Sequence, residues 1–255
     1  MVDQTSEVLS TAVRVLQAFT PDDESLGATE IERRTGLSES GARDIVRALV
    51  NVRLLEGVGD GYKLSTLLFE LGMQGAVERR LVEVATPFLE DLYERTRETV
   101  HLGVRENLDV VYISKIGGHG FAEVPSRVGQ RLPMYCTGIG KMLLAHAGDG
   151  VVAAVVGRGL SPRGPRTITN ADELAAQLAE IADSGIAFER EESTAGLTCV
   201  AAPIVVRGHV VAAISIAGPV YRFIPQTHRV SIKAAAEAIG DLLASRADPP
   251  SGSVI

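Results

Sequence analysis

Residues Ala28 to Leu55 constrain this chain more than any other stretch. Ile31 lies in a short helical segment that stops near Thr35-Gly36, where glycine is free of the Cβ penalty of a left-handed helix end. Leu37 turns back toward a core, and Ser38 is placed to cap a second helix. In that helix Ala42, Ile45, Val46 and Leu49 follow the i, i+3, i+4, i+7 spacing of a buried face, while Ser40, Arg43, Asp44 and Arg47 collect on the opposite one. Two short helices, a tight turn and an outward polar face predict a helix-turn-helix whose second helix is free to enter a major groove. Any surface helix sets a charged face against an apolar one, so the continuation matters. Leu54 to Gly57, Val58 to Gly61 and Tyr62 to Leu64 read as strand, turn, strand, with Gly59-Asp60-Gly61 permitting the positive φ of a tight hairpin. A helix-turn-helix followed at once by a two-stranded wing is the winged-helix layout.

At 255 residues the chain has room for two domains with a core in each. No apolar run approaches the roughly 18 to 20 residues that span a bilayer, so no membrane partner is expected. Met1 to Ser10 has neither a basic start nor a long apolar run, which argues against a secretory signal. Cys136 and Cys199 have no metal-knuckle or oxidoreductase spacing, and a reducing cytoplasm is the simplest compartment. The net charge of −7 argues against nonspecific coating of nucleic acid. Locally the balance reverses: from Arg33 to Arg53 five arginines (33, 34, 43, 47, 53) stand against Glu39 and Asp44, a balance of +3. A small basic patch on an acidic body suits a specific, dimeric reader of DNA.

In chain order, Val8 to Phe19 is predicted as an amphipathic helix, with Leu9, Ala12, Val13 and Leu16 bracing the helix-turn-helix. Thr66 to Met73 is a strongly apolar connector helix, which either pairs with its copy in a second subunit or packs within its own chain. Glu78 to Thr96 follows as a helix in which Pro87 makes a kink or a new start. Strands are expected at Val100 to Val104 and Asp109 to Ile116, with another short one at Phe121 to Val124 beyond a glycine loop. Helices are expected from Gly138 to Ala145, from Asp149 to Val156 and from about Asn170 to Ser184, the last stopped by Gly185. Thr198 to Val206 and His209 to Ile216 read as two buried strands, and Pro225 to Ser245 as the final helix. The predicted organisation is therefore a DNA-binding domain at 6–65, a linker helix at 66–77, an α+β sensor domain at 78–246 and a flexible tail at 247–255. Its sheet is antiparallel or mixed, with helices packed on it.

Four blocks, in order and in spacing, resemble the IclR family of bacterial transcriptional regulators: Arg33 to Ser38 in the winged helix, Leu132 to Ala145, Gly185 to Ile204, and Val210 to Pro219. The resemblance covers nearly the whole chain. It implies an N-terminal winged helix, a linker helix and a C-terminal GAF-like effector domain. It also implies dimers or tetramers that bind operator DNA and answer to small molecules, often organic or aromatic acids. Three positions depart from the family pattern. Glu32 stands where a small residue is usual, Gly41 where threonine is usual, and Asp44 where arginine is usual. Gly41 weakens the helix by up to ~1 kcal/mol relative to alanine. Asp44 either repels phosphates, accepts from a cytosine amino group, or pairs with Arg47 one turn on. The DNA contacts expected are Ser40, Arg43 and Arg47 at the groove, with Arg53 and Lys63 on the backbone. A winged helix turned to protein interaction is the alternative that these departures keep open.

In the second domain Gly138 and Ile139 start a helix, where a ligand can approach the backbone and amides favour an anion. The resemblance adds Val124, Glu189, Leu197, Cys199, Ser215 and Ala217 to the effector site. Period two puts Leu197 with Cys199, and Ser215 with Ala217, on common strand faces. The set makes a half-apolar pocket with polar anchors, fit for a small effector such as a carboxylic acid. Each anchor also has an ordinary role: Cys199 as a small buried hydrophobe, Ser215 bonding backbone, and Glu189 in the acidic run to Glu192 as part of a solvated face. No nucleophile-and-base signature joins the cysteines to His101, His119, His146, His209 or His228, and no zinc spacing or phosphate loop is present. Neither catalysis, nor a metal, nor a cofactor is expected, and a cysteine-dependent hydrolase is the reading that catalysis would require.

Overall fold

The computed structural model describes residues 2–117 and 124–245, and the chain separates into two compact units with the boundary after Arg79. The first contains α1 (Val2–Gln17), β1 (Leu26–Gly27), α2 (Ala28–Thr35), α3 (Glu39–Asn51), β2 (Leu55–Val58), β3 (Gly61–Leu64) and α4 (Thr66–Gly72). Gly36 ends α2 in the left-handed region at φ 67°, and its N–H reaches Glu32 O. Ser38 caps α3, its side chain accepting from Gly41 N at 3.3 Å. Ala42, Val46 and Leu49 then join Val15, Leu26, Ile31 and Leu55 in one small core.

Two features of this unit differ from the sequence reading. The first helix starts at Val2, and its inner stripe runs through Val15, Ala12 and Leu16, while Leu9 and Val13 are exposed. Spacing alone does not say which of two adjacent apolar stripes a neighbour will cover. The wing also has a third strand, because β1 pairs with β3 in the order β1-β3-β2. A two-residue strand leaves too short a pattern to read. It explains Gly61, where a Cβ would lie 2.9 Å from Leu26 O, while Gly59 supplies the positive φ of the turn.

The second unit is built on α5 (Ala76–Thr96), β4 (Thr99–Glu106), β5 (Asp109–Ile116), β6 (Arg131–Pro133), α6 (Gly138–Leu144), α7 (Asp149–Arg158), α8 (Ala171–Ser184), β7 (Ala187–Arg190), β8 (Leu197–Val206), β9 (His209–Pro219) and α9 (Arg229–Ser245). Its six strands run β6-β5-β4-β9-β8-β7, and every pairing is antiparallel. One face, with Val100, Leu102, Val200, Ile214 and Ile216, packs with Leu89 and Leu92 of α5 and Ile232 and Ile239 of α9. Val110, Tyr112, Ala201 and Ala213 belong to a second core with α6, α7 and α8. Alternation along each strand thus serves two cores.

Helix α5 continues through Pro87. The short strands β6 and β7 were not foreseen, and the final helix begins with a 3-10 turn at Pro225–His228. Helix α7 runs two residues past Val156, to Arg158. Of the strand expected at Phe121 to Val124, residues 121–123 lie outside the described residues, and Val124 belongs to no strand. The tail at 247–255 also lies outside them.

The glycines of the helices separate close packing from open space. A Cβ at Gly240 of α9 would lie 2.3 Å from Val205 O, whereas Gly157 of α7 has nothing within 4 Å. Gly240→Ala is therefore expected to lower stability by about 1–3 kcal/mol through overpacking. Gly157→Ala should raise it by up to about 1 kcal/mol through helix propensity. Urea midpoints of the two variants against wild type test the opposite signs.

Candidate functional site

Helix α3 presents Ser40, Arg43, Asp44 and Arg47 outward, all exposed, and the wing presents Lys63. Arg43 is paired with Glu39, Arg47 with Asp44 at 3.7 Å, and Lys63 with Glu56 at 3.2 Å. These pairs are open to water, where such contacts are worth little and yield readily to a stronger anion. Asp44 is placed to pair with Arg47 one turn on, one of the three roles open to it. Arg53, also exposed, sits just beyond α3 in the left-handed region at φ 62°. A shallow depression lined by Arg43, Arg47, Val50 and Tyr62 joins α3 to the wing.

The basic patch is smaller than the residue count suggested. Arg33 and Arg34 both bond Glu30, and Arg34 also grips Asp23 and Ala18 O. Those two arginines hold the Glu30 carboxyl down at about 2, and Arg34 holds Asp23 well below the usual carboxylate range. Arg34 is thereby an internal tie of the unit, while Arg33, like Arg43, Arg47, Arg53 and Lys63, stays exposed. Glu30 and Asp23, which bond those two arginines, precede Arg33 in the chain, so a count begun at Arg33 missed them.

In the second unit a cavity of about 260 Å³ opens beside the sheet. Val124, Gly138, Ile139, Glu189, Leu197, Cys199, Ser215 and Ala217 all line it. Strand register explains the convergence. Glu189 pairs with Cys199, Cys199 with Ala217, and Ala217 with Thr99, so these side chains form one row across the sheet. In the neighbouring row Ala201 pairs with Ser215 and Ser215 with His101. Gly138 lies against this floor so closely that a Cβ would meet Cys199 Sγ at 2.5 Å.

Sequence reasoning missed several lining residues. His101, weighed there only as a base for a cysteine, is buried beside Ser215. Its Nε2 hydrogen-bonds Ser126 Oγ at 2.6 Å. Burial, with the nearby Lys115 charge, pushes its pKa down to about 3, so it is neutral. Alternation in β4 places it on the face opposite Val100 and Leu102, which was a usable signal. Tyr112, Ser126, Thr137, Arg163, Ser193 and Thr194 line the cavity as well. Several of these come from loops, for which no periodicity exists.

Glu189 is no part of a solvated face. It is 3 % exposed, and its Oε1 accepts from the amides of Glu192 at 2.6 Å and Ser193 at 3.1 Å. Desolvation outweighs those bonds and raises its pKa to about 7. Behind it, fully buried Lys141 donates to Glu192 Oε1 and Gln177 Oε1, each at 2.5 Å. Both thiols are held protonated by burial, Cys136 up to about 12 and Cys199 well above its ordinary value. A thiol so placed is a poor nucleophile, which removes the basis for a cysteine-dependent hydrolase. Among the described residues no cluster of three or more His, Cys, Asp or Glu is arranged to hold a metal, and no helix is long and apolar enough to cross a membrane.

The sequence model described as IclR helix-turn-helix domain matches residues 8–59, and that described as Bacterial transcriptional regulator IclR C-terminal matches residues 73–241. The chain belongs to the IclR family. It is 34% identical over 228 residues to the HTH-type transcriptional regulator KdgR of Escherichia coli (strain K12), covering 87% of this chain and 85% of that protein. The crystal structure of an IclR homologue from Microbacterium hydrocarbonoxydans complexed with 4-hydroxybenzoate superposes with a TM-score of 0.86 at 33% identity, covering 94% of this chain and 100% of the other. The Thermotoga maritima IclR structure gives 0.72 at 27% identity, covering 96% and 100%. This IclR-family chain is a DNA-binding transcriptional regulator with an effector-binding C-terminal domain, and not an enzyme.

The buried carboxyl gives the larger unit a pH signature. Glu189 in the folded chain holds a proton that the unfolded chain, at its ordinary 4.5, releases between pH 4.5 and about 7. Its contribution to stability therefore falls as pH rises across that window and is flat above it. Glu189→Gln keeps an oxygen for both amides and removes the buried charge. It should unfold at higher temperature than wild type at pH 8, by up to about 3 kcal/mol in stability, with the gain shrinking toward pH 5. Thermal melts at the two pH values check the trend.

Proposed function

We propose that residues 6–65 read operator double-stranded DNA, with α3 in the major groove. Ser40, Arg43 and Arg47 meet base edges there, while Arg53 and Lys63 hold flanking phosphates. The observation that carries this reading is the outward face of α3, whose arginines are tied only by exposed ion pairs that a phosphate or a guanine edge can replace. Residues 66–77 serve as linker and 78–246 as the effector-binding domain. The protein acts as a homodimer or homotetramer. In its support, no residue of α4 is fully buried, and Phe69, Leu71 and Met73 stand exposed on and beside it. The compartment proposed is the cytoplasm, where Cys136 and Cys199 stay reduced, and no cofactor takes part.

The effector is a small organic or aromatic acid held by Val124, Gly138, Ile139, Glu189, Leu197, Cys199, Ser215 and Ala217. The cavity's size and half-polar walls support this, as does the 4-hydroxybenzoate complex of the relative with 33% identity. The ligand biases two arrangements of the oligomer by binding one more tightly, and the Thr66 to Met73 connector transmits the choice.

Fluorescence anisotropy on the protein's own upstream DNA tests the DNA reading. Arg43→Ala with Arg47→Ala should lower specific affinity by about a hundredfold or more, the value of two base contacts. Arg53→Ala with Lys63→Ala should weaken all sequences alike and make the log-affinity against log-salt slope shallower by about 2. Unchanged affinity in the first double variant would show that another face reads the DNA.

A further inference from the structure

Of the three arginines from the end of α7 to the start of α8, two are already committed. Arg158 pairs with Asp109, and Arg166 with Glu191 at 3.6 Å. The third, Arg163, lines the cavity and has no ion pair among the described residues. It is the cationic side chain of the described lining, since His101 is buried and neutral and Lys141 lies behind the wall.

Arg163 is also held in place. The Tyr135 hydroxyl donates to Ser161 O at 2.6 Å, fixing one end of the loop. At the other, the amides of Arg163 and Gly164 both donate to Thr167 Oγ1 at 2.8 Å, and that hydroxyl donates to Glu192 O at 2.6 Å. Gly164 is pressed onto the same backbone, where a Cβ would lie 2.3 Å from Glu191 O. Pro162 and Pro165 fix φ on either side. The backbone that carries Arg163 is thus restrained, and its exposed side chain lines the cavity.

Glu189 is the acid of the same lining, and it does not pair with Arg163. Both act on the Cys136 thiol, in opposite senses. The cavity therefore has a cationic side and an acidic side. Oε1 of Glu189 accepts from two amides, and the residue lines the cavity. A guanidinium fork matches a carboxylate, and a buried carboxyl matches a hydroxyl in either protonation state. A second carboxylate on the ligand would face Glu189 and be repelled.

We infer that Arg163 is the specificity-determining residue that recognises the effector's carboxylate, and that the cavity selects small hydroxylated monocarboxylates, lying with the carboxylate toward Arg163 and a hydroxyl toward Glu189. The inference rests on the proposal that this cavity is the effector site.

The test is isothermal titration of the full-length protein with 4-hydroxybenzoate, gluconate and, as a neutral counterpart, methyl 4-hydroxybenzoate. Wild type should bind at least one of the two acids. Arg163→Gln should weaken that acid tenfold to a hundredfold, the range of a charge-assisted hydrogen bond, and leave the ester unchanged. Arg163→Lys should recover part of the loss. Ala217→Leu, which fills the cavity from its floor, should abolish binding of acid and ester alike. Acid binding equal in wild type and Arg163→Gln, but lost in Ala217→Leu, overturns the role of Arg163 while leaving the cavity as the effector site. Acid binding that survives Ala217→Leu removes the effector reading itself. A wild type that binds neither acid overturns the ligand class.

Discussion

Lys141 has no accessible surface, and its charge governs how the cavity is walled. An ammonium in the interior costs several kcal/mol unless an acid and hydrogen-bond acceptors meet it there. The acid comes from the loop after β7, as Glu192, and the neutral acceptor from α8, as Gln177. One side chain on α6 thus fixes the distance between two elements remote in sequence. Glu192 passes the constraint on: its amide donates to Glu189 Oε1, and its carbonyl receives the Thr167 hydroxyl. Remove the ammonium and both the acidic side of the cavity and the loop bearing Arg163 lose their common anchor. Glu192 Oε2 remains buried without a hydrogen-bond partner, so the pair is under-satisfied. Buried ion pairs are often no more stable than apolar replacements of the same volume, so the pair is weak evidence for stability and its consequence here is the geometry it ties together.

The elements legible in the sequence are those whose signals are local. Ser38 and Gly36 bracket the turn of the helix-turn-helix, and Asn170 and Gly185 bracket α8, because a cap is a contact between residues three or four apart. The hairpin of β8 and β9 was equally plain, since Arg207-Gly208 adopts positive φ at both positions between two long β-branched runs. Illegible parts depend on partners far along the chain. Strand β1 exists only because β3 lies beside it, and β7 because β8 does. The Glu189–Glu192 run looked like solvated surface because charge usually marks exposure. Nothing near it in sequence reveals a lysine on α6 that requires an acid.

The candidate site divides along the same line. Cys199 and Ala217, or Ser215, fall on one face by strand alternation, and register makes them neighbours. Arg163 and Ser193 reach the cavity from loops, where only the folded backbone decides direction. The exposed cations of α3 were visible from helical spacing, but Arg34 was not separable from them. Its tie to Glu30 is an i,i+4 pair within α2, but its tie to Asp23 depends on how α2 meets the preceding loop.

The cavity survives because its floor is made of small side chains. Gly138, Cys199, Ser215 and Ala217 stand where larger residues would close the space, and the opposite face of the same strands carries Val200, Ile214 and Ile216 packed to full burial. The sheet is therefore asymmetric in side-chain volume, tightly filled toward α5 and α9 and hollow toward α6. Filling the hollow with apolar groups would add buried area and dispersion contacts, at about 25 cal/mol per Å² of surface removed from water. The chain instead keeps a neutral histidine, an acid raised by burial and two protonated thiols around open space. His101 and Glu189 already have partners in the protein, so these desolvated groups polarise the wall of the cavity while staying satisfied. On the effector reading, binding there shifts an equilibrium between two arrangements only by as much as the cavity's affinity for the ligand differs between them.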